Sequence, residues 1–96
     1  MPRYLVERDY GQAEEEAMQN IGQRAKQVAE EQLQDVAWEY SHVVSDESGI
    51  KSFCVYEAPS EERLRQHGDM VGQHTIVRIY EIAGDVTPAD FTADRA

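Results

Sequence analysis

The apolar residues of this chain switch repeatedly between a spacing of two and a spacing of three and four, and the order of those switches leaves few folds open. Arg3-Tyr4-Leu5-Val6-Glu7 is rich in strand formers. Turn chemistry follows in Asp9-Tyr10-Gly11, so a first strand of about five to seven residues is expected. From Ala13 the period lengthens: Ala17, Met18, Ile21, Ala25, Val28, Ala29 and Leu33 mark one face of an amphipathic helix. Glu14, Glu15 and Glu16 fall in its first turn, where the positive end of the helix dipole favours carboxylates. They read as a solvated helix start and not as a site.

From Val36 the alternation returns, with Trp38, Tyr40, His42 and Val44 on one side and Glu39, Ser41 and Val43 on the other. Asp46-Glu47-Ser48-Gly49 then reverses the chain. With Gly49 in the left-handed position that closes a three-residue loop, Asp46 pairs with Ile50. Counting outward, Val43 faces Phe53, His42 faces Cys54 and Tyr40 faces Tyr56. The next strand, Ser52 to Ala58, stops at Pro59, and Ser60 followed by Glu61 and Glu62 reads as an N-cap with an acidic first turn. That second helix carries Leu64, His67, Gly68 and Val71 on its apolar face and ends at Gly72. The last strand runs from Thr75 to about Ala83, and its loose alternation suits a central strand. In the polar tail, Thr87-Pro88-Ala89-Asp90 is placed to cap a short helical turn around Phe91.

Strand, helix, strand, strand, helix, strand is the split β-α-β order of ferredoxin-like domains. The fold class is therefore α+β, an antiparallel sheet with both helices on one face. A chain of 96 residues is long enough for one hydrophobic core, which residues 1–84 would build, leaving 85–96 as a C-terminal tail. The uncovered face is expected to hold Trp38, Tyr40, His42, Cys54 and Tyr56, with Tyr4 and Val6 or their neighbours, which is too much aromatic surface for water. A second copy is the simplest cover, so a homodimer in the manner of a dimeric α/β barrel is expected.

A formal charge of -10 and a pI near 4.5 argue against nucleic acid and anionic membrane as partners, because both are held by clustered Lys and Arg. No stretch approaches the roughly 18 to 20 apolar residues of a membrane span. Met-Pro-Arg-Tyr also lacks the charged and apolar segments of a signal peptide, so a cytoplasmic location is expected. Cys54 is the only cysteine, which rules out an intrachain disulfide and a metal cage built from thiolates alone, and suits a reducing compartment.

The side chains able to ligate a metal are His42, His67, His74, Cys54 and carboxylates including Glu7, Glu57 and Asp69. Imidazole mixed with carboxylate and one thiolate suits nickel, zinc, copper or iron better than magnesium or calcium. His67 lies on the apolar face of its helix, where an imidazole is also an ordinary core residue; His74 reads as a loop residue, and Glu57 sits at a strand end beside Pro59. Cys54 as a nucleophile would need His42 across the ladder as its base, and no third orienting group is visible. Gly-rich phosphate loops, nucleophile elbows and dinucleotide fingerprints are lacking.

The opening Arg3-Tyr4-Leu5-Val6-Glu7-Arg8, the Trp38 strand ending Ser41-His42-Val43, the segment Phe53-Cys54-Val55-Tyr56-Glu57-Ala58-Pro59 and Arg65-Gln66-His67 together resemble a family of small bacterial nickel-binding, or nickel-responsive, proteins. That family was long catalogued as a domain of unknown function. The resemblance spans nearly the whole chain apart from the tail. It implies a ferredoxin-like dimer that binds nickel and sequesters or buffers it without catalysis, and Cys54, Tyr56, Glu57 and His67 match its pattern. The chain departs from it in carrying His42 where tyrosine is more usual, and in reading Gly72-Gln73-His74 where a Gly-x-Pro commonly follows the second helix.

The leading expectation is a cytoplasmic nickel-binding protein with His42, Cys54, Glu57 and His67 as metal ligands. One alternative is a small enzyme of oxygenase or isomerase type that uses the interior of a dimeric α/β barrel, which needs a pocket of several hundred Å³ with His42 beside Cys54. Another is an acidic regulatory module that docks on a basic partner.

Overall fold

A computed structural model of the chain describes residues 1–91, so the last five residues of the expected tail lie outside the described residues. The elements are β1 (Arg3–Gly11), α1 (Glu15–Gln27), β2 (Ala37–Asp46), β3 (Gly49–Glu57), α2 (Glu61–Val71) and β4 (Thr75–Glu81). All three strand pairings are antiparallel and the sheet order is β2-β3-β1-β4, which is the ferredoxin-like α+β arrangement expected from the spacing. β4 is an edge strand and not a central one. Its loose alternation reflects an irregularity between Glu7 and Arg8 of β1, where Val77 has no partner in the register.

Both helices lie on one face of the sheet. Tyr4 and Val6 of β1 and Cys54 and Tyr56 of β3 are packed there with Ile21, Val28, Leu33, Leu64 and Val71. Each fully buried aliphatic side chain, such as Leu64 or Val28, contributes roughly 1.5–3 kcal/mol of transfer free energy. The helical period that begins at Ala17 continues past Gln27 as a π-turn over Val28–Gln32, closed by the Leu33 N–H donating to the Val28 carbonyl at 2.8 Å. The wider turn keeps Val28, Ala29 and Leu33 all buried before the chain leaves for β2. Ser60 caps α2 as expected, its hydroxyl accepting from the Arg63 N–H at 3.2 Å, and Leu64, His67, Gly68 and Val71 are the buried residues of that helix. Thr87 and Asp90 cap the short 3-10 turn Pro88–Phe91, with the Thr87 N–H donating to Asp90 Oδ2 at 2.7 Å.

The hairpin register differs from the expected one. The loop between β2 and β3 has two residues, Glu47 and Ser48, so Asp46 pairs with Gly49. Asp46 Oδ1 closes the loop by accepting from both the N–H and the hydroxyl of Ser48, at 2.8 and 2.6 Å. Gly49, at φ 126°, belongs to the strand, because β3 passes so close to β1 there that a Cβ would collide with the Gly11 backbone. A slip of one residue moves every side chain to the other face. Val43 therefore faces Ser52, Ser41 faces Cys54 and His42 faces Phe53. Glu39 then forms a bulge, which brings Trp38 opposite Tyr56. The expected uncovered face of Trp38, Cys54, Tyr56, Tyr4 and Val6 is thus the helix-covered one. The open face carries Leu5, Tyr40, His42, Val44, Phe53, Val55 and Tyr80 instead.

β1 also runs longer than expected. Asp9, Tyr10 and Gly11 form no turn despite their turn chemistry; they continue the strand through a bulge in which Asp9 Oδ1 accepts from the Gly11 N–H at 2.8 Å. The added length places Arg8 and Tyr10 under the helices.

Candidate functional site

Alternation along β1 points Tyr4, Val6 and Arg8 at the helices, so a guanidinium enters a face that is otherwise apolar. Arg8 is only 3% exposed. Its Nη2 donates to the Tyr56 hydroxyl at 3.1 Å and lies 3.4 Å from His67 Nδ1, its Nη1 contacts His74 Nε2, and its charge sits 5.4 Å from the Tyr56 ring centroid. Gly68 makes this possible: α2 approaches so closely that a side chain at that position would press on Arg8.

The two imidazoles are fixed by their second nitrogens. His67 Nε2 is 3.1 Å from the Ala25 carbonyl and His74 Nδ1 is 2.8 Å from the Gly72 carbonyl, so each ring places its N–H there and turns its lone pair to Arg8. Burial, reinforced by the Arg8 charge, pushes His67 down to about 4, against the pull of the Ala25 carbonyl. Burial likewise lowers His74 and raises the Tyr56 and Tyr10 phenols. At neutral pH the group is one cation surrounded by neutral partners. Beyond it, the Tyr10 hydroxyl lies 2.8 Å from Ser52 Oγ, which is 3.2 Å from Cys54 Sγ.

These side chains line a partly enclosed cavity of about 120 Å³ between the sheet and α1. Met18, Ile21 and Ala25 form its helical wall, and Trp38, Ser41 and Val43 of β2 form its outer rim. The spacing does not single out Arg8, Tyr10 or Ser52, and His74, expected as a metal-competent side chain in an ordinary loop, is half-buried against Tyr10. The available signal was an arginine in phase with Tyr4 and Val6.

The four expected ligands are not brought together within one chain. Cys54 and His67 are interior, Cys54 beside Ser52 and His67 against Ala25 and Arg8. His42 is exposed on the open face, where its ring makes an edge contact with Tyr40 at 5.6 Å. Glu57 is on that face too, but four positions along β3 from the partner of His42, about 13 Å at the usual strand rise. His42 is therefore not placed as a base for Cys54. Among the described residues no three His, Cys, Asp or Glu side chains stand close enough to hold an ion together.

The family of nickel-responsive proteins described as SCO4226-like matches residues 4–82. The chain belongs to this family. The match covers all four strands but for Arg3 at the start of β1, both helices and all the residues of the Arg8 cluster. No curated protein and no solved structure matches the chain. No helix among the described residues is long and apolar enough to cross a membrane.

Proposed function

We propose that the protein binds nickel as a homodimer and holds the metal, sequestering or buffering it in the cytoplasm without transforming a substrate. The observation that carries this reading is the exposed His42 imidazole, which makes no hydrogen bond among the described residues, in a chain of the nickel-responsive family. Imidazole is a preferred nickel donor. One chain supplies no cluster of three ligands, so a second copy or water completes the coordination. Glu57 shares the face with His42 and is the next donor to test, whereas Cys54 and His67 would have to give up interior hydrogen bonds to take part.

Several features support pairing through the open face. Tyr40, Val44 and Tyr80 are exposed there by 50%, 46% and 44%, a surface that self-association would remove from water. Its charges are largely paired in place, Lys51 with Glu7 and Arg3 with Glu39 and Asp85, so two like faces can meet despite the net charge of -10.

Nickel titration calorimetry on tag-free protein tests the proposal. Saturable binding that weakens about tenfold or more in His42→Ala is expected. Wild-type protein that takes up no nickel, or binding unchanged by His42→Ala, would overturn it.

A further inference from the structure

The Arg8 guanidinium is a charge without a counter-charge. Among the described residues no carboxylate lies within ion-pair distance of it, and its three hydrogen-bonding contacts, Tyr56, His67 and His74, are neutral. Isolating a cation from water costs several kcal/mol unless something compensates it. The three contacts do not exhaust the N–H donors of a guanidinium. Arg8 also lines the interior cavity, whose surface is mainly apolar through side chains such as Met18, Ile21 and Val71, and the Tyr10, Ser52 and Tyr56 hydroxyls beside it are already bonded to one another or to Arg8.

We propose that this cavity is a binding site for a short-chain monocarboxylate, its carboxylate against Arg8 and its alkyl end against α1. The class follows from three properties of the site. A single buried positive charge matches one negative charge, because both neighbouring imidazoles commit their N–H groups to backbone carbonyls and add no second cation. A mainly apolar lining with one charged group in it, Arg8, suits a guest with one anionic and one apolar end. The volume of about 120 Å³ lies below the ~150 Å³ that accepts benzene, which limits the guest to about five or six heavy atoms. Entry is over the rim at Trp38, Ser41 and Val43. The site is separate from the open face that carries His42, and a buried guanidinium repels a metal cation, so the ligand binds whether or not nickel does.

The test uses the full chain with chelator present, titrated with sodium acetate, propionate, butyrate and octanoate at constant ionic strength, with amide NMR shifts and Trp38 emission as readouts. Saturable shifts confined to residues around the cavity are expected. Affinity should rise several-fold from acetate to butyrate and reach about 1 mM, then fall for octanoate, which the cavity cannot hold. 1-Butanol, with the same carbon chain and no charge, should bind at least tenfold more weakly, and Arg8→Met should lose the butyrate response. Equal responses to butyrate and butanol, responses equal to those of sodium chloride, shifts scattered over the surface, or a full response in Arg8→Met would each overturn the proposal. The comparison of butyrate with butanol uses wild-type protein, so it decides even if Arg8→Met fails to fold.

Discussion

A Cβ placed on Gly68 would stand 3.2 Å from Arg8 Nη1 and 2.6 Å from Cδ1 of Ile76, so the bare backbone of α2 is the lid over the buried guanidinium. Gly68→Ala must push the end of Ile76 aside and crowd Arg8. A loss of about 1–2 kcal/mol in urea unfolding is expected. Ile76→Val removes the colliding methyl, so Gly68→Ala should cost less in that background than in wild type.

His67 makes stability depend on pH. Its folded value of about 4 lies below the ordinary 6.5, so between those values the unfolded chain takes up the proton and the folded one does not. Stability is therefore complete above about pH 6.5 and declines as pH falls toward 4, by up to about 3 kcal/mol from this residue. His74, lowered by the same burial, acts in the same direction. Urea midpoints of wild type and His67→Gln at several pH values check this; the variant should lose much of the slope.

Gly49→Ala should damage the hairpin register itself. The new methyl meets the Gly11 backbone, and φ 126° is strained for any side chain. We expect a loss of at least about 2 kcal/mol, measured by thermal or urea unfolding, whereas Gly84→Ala, with open space around it, should be nearly neutral.

Tyr40→Glu places a charge in the middle of the open face without touching the core, since Tyr40 is half exposed. Light scattering after size exclusion should show the wild type as a dimer and this variant as a monomer with an unchanged far-UV spectrum. A wild-type monomer would contradict pairing through this face.

Local chemistry made much of the architecture legible. Ser60 before two glutamates, Leu64, His67, Gly68 and Val71 on one helical face, and Thr87 with Asp90 all act within a few residues of chain, and all are found where spacing puts them. The candidate site was less legible, because it depends on register. A Gly after Asp-Glu-Ser fits a three-residue loop as well as a two-residue loop with the glycine in the strand. What decides between them is the close passage of β3 past Gly11, a contact about forty residues away in sequence. Asp9-Tyr10-Gly11 has turn chemistry for the same reason that it has bulge chemistry, and only pairing with β3 distinguishes the two.

The bulge at Glu39 gives β2 an uneven tolerance to change. Substitutions at Trp38, Ser41 or Val43 alter the mouth of the cavity, and those at Tyr40, His42 or Val44 alter the open face, so each surface answers to its own set of residues. Gain or loss of a single residue beside Val43 would reverse the faces of the residues between that point and the bulge, sending His42 inward and Ser41 out. The length of this segment, and not only its composition, therefore sets which side chains line the cavity.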